Sequence, residues 1–167
     1  MPLTAIPTAR ILTIADAVVA AINTLDLPSI QVGAAAVRGY SFGFTDSELN
    51  MLRVVVRPED YANAEQTAVA VNQSYKIQVG VLRRVPKRTT VQTDPAMNLA
   101  IAIARLFNLG RELTVGSDVL LVTSQLFIPL FLHDATTMDD PDSSTVRFDS
   151  RMDVEFVELG RPLSSAT

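Results

Sequence analysis

The stretch Thr145–Phe156, TVRFDSRMDVEF, decides the fold. Its even positions are Val146, Phe148, Ser150, Met152, Val154 and Phe156. Its odd positions are Thr145, Arg147, Asp149, Arg151, Asp153 and Glu155. Strict period-two alternation of this kind predicts a strand with one buried and one wet face. At about 3.3 Å per residue it reaches roughly 40 Å, longer than an ordinary strand. A chain holding such a strand must build a sheet broad enough to cover it.

Just upstream, Asp134–Ser144 is an acidic loop, and before it Gln125–His133 reads as the partner strand of a long hairpin. This partner breaks the alternation. Leu126, Ile128, Leu130 and Leu132 are apolar, and so are Phe127, Pro129 and Phe131. A strand apolar on both parities needs cover on both faces, from another chain or from one of its own helices. Pro129 donates no hydrogen bond, so it needs an edge or a bulge. These readings make Phe127, Pro129 and Phe131 the first candidates for an interface.

Two helices are marked. Thr8 can cap a helix over 8–24 whose stripe is Ile11, Ile14, Ala15, Val18, Ile22 and Leu25, with Asp16 and Asn23 off it and Pro28 beyond. Asp94 as N-cap, Pro95 in the first turn and Gly110 just past the end delimit a second helix over 94–109. Its buried stripe is Leu99, Ala100, Ile103, Leu106 and Phe107. Between the helices, 34–44 is a weak strand broken by Gly39 and Gly43. Met51–Arg57 is a stronger one ended by Pro58. Val69, Val71, Tyr75, Ile77, Val79 and Val81 then form a long alternating strand, whole or bulged at Asn72-Gln73. The expected fold is α+β: a mixed, mostly antiparallel sheet flanked by two helices, with a long C-terminal hairpin. One domain spans 1–167, its ordered core at 8–159 and a flexible tail at 160–167.

Composition narrows function by subtraction. The 167 residues are 48% apolar and 19% charged, which excludes wholesale disorder. Folding should bury about 70% of roughly 26,000 Å² of unfolded surface. With no cysteine, disulfides, thiol nucleophiles and cysteine-based metal sites are out. The single histidine, His133 beside Asp134, has no G-x-S-x-G serine to serve, so it reads as a strand-end residue. Gly33, Gly39 and Gly43 form no phosphate-binding pattern. Glu155 and Glu158 fall at a strand end with no evident pocket. Asp139, Asp140 and Asp142 crowd the acidic loop without calcium-loop spacing, which makes a solvated tip or a contact with a basic neighbour. Arg83, Arg84, Lys87 and Arg88 are the dense basic cluster, lacking the aromatics that stack bases. They read as a solvated loop or a dock for an acidic partner. The net charge of -4 and pI near 4.9 argue against tight nucleic-acid binding, while allowing DNA to pass. No apolar run free of charge is long enough to span a membrane. No cofactor is called for.

The order of elements then carries a resemblance. The helix ILTIADAVVAAINTL, the strand LRVVVRP, the strand YKIQVGVLRRV, the helix DPAMNLAIAIARLF and the hairpin ending in RFDSRMDVEFVEL follow one another. This order, with Phe148, Ser150, Val154 and Phe156 in an F-x-S-x-x-x-V-x-F strand, resembles the tail terminator (tail completion) proteins of tailed bacteriophages from about Ile11 to Leu159. The resemblance implies a compact α/β subunit forming a six-membered ring. The ring would cap the tail tube, stop its polymerisation and meet the neck, as a structural protein of the virion. Its partners would be itself, the tube protein and a neck or head-completion protein. A head–tail connector or tube protein is the near alternative, and a small hydrolase using His133 and Asp134, or a ligand-binding module, the distant ones. The family supplies no site residues to carry across.

Overall fold

The computed structural model describes residues 9–25, 36–45, 47–66, 70–86, 90–134 and 145–162. In chain order the elements are α1 (Arg10–Asn23), β1 (Ala36–Arg38), a 3₁₀ turn (Glu48–Asn50), β2 (Arg53–Gln66), β3 (Ala70–Pro86), α2 (Thr90–Leu106), β4 (Glu112–Val115), β5 (Asp118–Asp134) and β6 (Thr145–Pro162). The strands make one sheet in the order β1-β2-β3-β6-β5-β4, parallel only between β1 and β2. The expected mixed, mostly antiparallel α+β architecture is therefore what the chain forms. Both helices lie on one face. α1 touches β1 and β2 and also β4 at the far end of the order, so the sheet curls around the helical layer.

β6 behaves as its alternation dictates. Phe148, Ser150, Met152, Val154 and Phe156 are buried against the helices. They meet Val54 and Val56 of β2, Tyr75, Ile77, Val79 and Val81 of β3, the α1 stripe Ile14, Ala15, Val18 and Ile22, and Leu99, Ala100 and Ile103 of α2. Phe107 packs edge-on against Phe156 with centroids 5.9 Å apart. Each large side chain removed from water here contributes roughly 1.5–3 kcal/mol. Ser150 is the polar member of the buried series, and its Oγ donates to the Ile128 carbonyl at 3.2 Å.

Several expected boundaries move. Thr8 lies outside the described residues, and α1 starts after Ala9 with no side-chain cap. α2 begins at Thr90, so Asp94 is not its N-cap and Pro95 lies inside the helix. The missing N–H of Pro95 falls where the Val91 carbonyl would expect a donor, a loss best tolerated near a helix start. The helix also closes earlier, at Leu106. Gly110, at φ 77, is instead the third residue of a turn in which Arg111 N–H donates to the Asn108 carbonyl at 3.0 Å. Pro58 does not end β2. The strand passes through it with register shifts at Pro58/Asp60 and Asn63/Glu65, because an edge position leaves the missing donor unneeded. β3 is one strand, shifted in register between Val71 and Gln73, and β6 continues past Leu159 to Pro162. Among the described residues of 34–44, only Ala36–Arg38 is strand. The Asn23 side chain holds the Ala36 N–H (2.7 Å) and carbonyl (3.2 Å), and Arg38 reaches Asp16, so this edge is tied to α1.

Candidate assembly surface on the helix-free face

The odd positions of β6 face away from the helices, and the register identifies their neighbours. Gly80 and Ile128 flank Arg151, Gln78 and Leu126 flank Asp153, and Lys76 and Ser124 flank Glu155. The two ends of this face are built differently. At one end the segment after β1 folds over the sheet, placing Phe42, Phe44 and Leu49 on Val55 and Leu82. Phe42 lies against Gly80, where an added Cβ would come within 2.5 Å of its ring. Arg151 stacks over the same ring at 3.8 Å while its guanidinium grips the Asp149 carboxylate, and Arg57 approaches at 5.0 Å. Arg147 donates to the Phe42 carbonyl at 2.8 Å and Arg53 to that of Glu48 at 3.2 Å. Thr45 and Glu48 close the segment reciprocally: the Glu48 carboxylate accepts from the Thr45 N–H and hydroxyl, both at 2.8 Å. These bonds hold the Glu48 pKa below its ordinary value.

At the other end the face is open. A groove of about 390 Å³ is lined by Asp60, Ser74, Lys76, Ser124, Leu126, Asp153 and Glu155, with Val154 at its floor. Lys76 Nζ lies 3.3 Å from Glu59 and 3.9 Å from Asp153. The Glu59 hydrogen bond and charge, with Asp153 next, raise the Lys76 pKa, and in the lining itself the carboxylates of Asp60, Asp153 and Glu155 outnumber this one ammonium. Gln78 donates to Asp153 at 2.6 Å, and the buried Ser74 hydroxyl donates to Glu155. Leu126, 59% exposed, forms the apolar wall. Beyond it runs a free edge: β4 covers β5 only as far as Leu121, and among the described residues no strand pairs with the outer side of β5 after that.

The sequence candidates fall unevenly on this surface. Phe127 is half-buried and packs on its own main core. Pro129 lies in the register shift between Ile128 and Phe131, so it has both the edge and the bulge that it requires. Phe131 pairs in register with Asp149 and His133 with Arg147. Parity changes across the shift: ahead of it Leu126 pairs with Asp153 and points outward, behind it Phe131 and His133 share their register with the outward residues of β6. Arg83 and Arg84 occupy the far end of β3 opposite Phe148 and Arg147. Lys87, Arg88, Asp139, Asp140 and Asp142 lie outside the described residues. Glu155 does line a groove, contrary to expectation. Glu158 points to the other face, where Arg10 holds it at 3.0 Å and Asp118 at 2.7 Å. The groove itself escaped sequence reading because its lining is drawn from four strands: Asp60 from β2, Ser74 and Lys76 from β3, Ser124 from β5, and Asp153 and Glu155 from β6. No described helix is long and apolar enough to cross a membrane.

Comparison with known proteins finds the fold elsewhere. One chain of the solved structure "Virion of native gene transfer agent (GTA) particle" superposes with a TM-score of 0.56 at 16% identity. The match covers 91% of this chain and 99% of that one. A second solved chain, 15% identical, reaches a TM-score of 0.42 over 78% of this chain and 84% of its own. No protein-family profile matches the chain, and no curated protein sequence does.

Proposed function

We propose that the protein is a structural component of a phage-like virion, and that its place is the tail terminator ring joining tail tube to neck. The observation that carries the reading is the end-to-end fold likeness to a chain of a gene transfer agent virion, which leaves almost nothing of either chain unmatched. That warrant is analogy of fold, and the site must agree with it. It does so in kind. The helix-free face offers an outward leucine, a free strand edge and a charged groove, the equipment of a subunit that is completed by neighbours. An acidic subunit also suits a channel through which DNA slides without sticking. The finer assignment to the terminator rests on the order of elements and the strand motifs from Ile11 to Leu159.

Particles purified from producing cells test this directly. Mass spectrometry should find the chain in them, and gold labelling should mark one site per particle at the head–tail junction. Absence from the particles would remove the virion reading. Labelling along the whole tail would make it a tube protein instead.

A further inference from the structure

We infer that the acidic groove is the socket for the arginine-bearing end of the same sheet in a second copy, so that subunits join head to tail. The inference deepens the ring reading and rests on it. Its basis is the unequal charge of the two ends of the helix-free face. At the end under the Phe42 segment, Arg147 donates to the Phe42 carbonyl and Arg53 to that of Glu48; the Glu48 carboxylate feels the Arg53 charge, while among the described residues no carboxylate forms an ion pair with Arg147. The nearby Asp149 carboxylate is gripped by Arg151. At the groove end the balance reverses. Arg57 and Lys76 share Glu59, Lys76 also faces Asp153, and among the described residues no cation meets the Glu155 carboxylate.

Arg147 and Glu155 are eight positions apart on β6, roughly 26 Å, well beyond a screening length of about 10 Å. The two ends cannot neutralise each other within one subunit. Between subunits they can: when each copy gives its groove to one neighbour and its arginine end to another, the contact is heterologous, the kind that closes into a ring when the rotation allows. Leu126 on the groove wall supplies an apolar surface beside the charges.

The test is sedimentation and native mass of the full chain at low salt, with thermal unfolding as a check on folding. Wild type should assemble and dissociate as salt rises. Asp153→Lys with Glu155→Lys should abolish assembly, and so should Arg53→Glu with Arg147→Glu. The milder pairs D153N/E155Q and R53Q/R147Q, which keep hydrogen-bonding groups, should weaken it. Mixing the two charge-reversed proteins should restore it, because each then offers what the other lacks. A wild type that stays monomeric at low salt would overturn the socket, as would a folded reversed variant that assembles normally or a mixture that stays apart. The virion labelling above does not depend on these results, so either idea can fail alone.

Discussion

The two faces of the sheet are made from the same strands and have opposite physics. On the helix side, β6 supplies Phe148, Met152, Val154 and Phe156 to a closed apolar core. On the other side the residues between them are Arg147, Asp149, Arg151, Asp153 and Glu155, and among the described residues the segment after β1 covers one end of it. The lesson is that the first face makes the fold, while the second keeps free what a fold alone has no use for.

If that division holds, substitutions should separate cleanly by face. The largest loss belongs to Phe156→Ala, which leaves a cavity in the fully buried core and should cost about 3–5 kcal/mol in chemical denaturation. A much smaller loss would mean that the core is looser than described. Next comes Arg10→Met, which removes the guanidinium that pairs with the buried Glu158 and with Asp118. Arg10 is partly exposed, so the loss should be about 2 kcal/mol, and E158Q in the same protein should recover much of it. Gly80→Val attacks the covered end of the outer face. Its side chain would displace Phe42, costing about 1–2 kcal/mol and opening the segment after β1 to limited proteolysis. Leu126→Ser, on the open end, should change stability by less than about 0.5 kcal/mol while weakening any assembly.

The smallest effect is in pH dependence. Lys76 is raised above the ordinary lysine value, so its ion pairs stabilise the fold fully below a pH of about 10.4. That contribution fades as pH climbs through the higher folded value. Lys76→Met should therefore flatten the alkaline end of the stability profile and lower stability only slightly at neutral pH.

What the sequence made legible was whatever is local and periodic. The α1 stripe, the long β3 and the β6 alternation each repeat often enough to be read without a partner, and the β5–β6 hairpin followed from their adjacency. What stayed hidden depends on residues distant in sequence. Pro58 looked terminal because its consequence depends on whether a neighbour needs its N–H, which is a property of sheet order. The double apolarity of β5 looked like two buried faces, yet Leu126 stands exposed on the outer one, and the strand changes parity at Pro129, where the Ser150 hydroxyl takes up the Ile128 carbonyl. The Phe42–Gly80 contact left no trace, since a glycine within a strand reads as weakness until something is seen lying on it.

The position of β6 in the sheet has a consequence for how the chain comes to be folded. It is the last of the six strands in sequence and yet lies at the centre, paired with β3 along nearly its whole length and with β5 on its other side. Until it has been synthesised, β3 and β5 each present an open apolar edge, and neither helix has a complete floor to rest on. Folding must wait for contacts that are among the longest in sequence, so it should be slow and cooperative. Nascent chains stalled before Thr145 should be the most prone to aggregate, and truncations within β6 should abolish the native state rather than trim it.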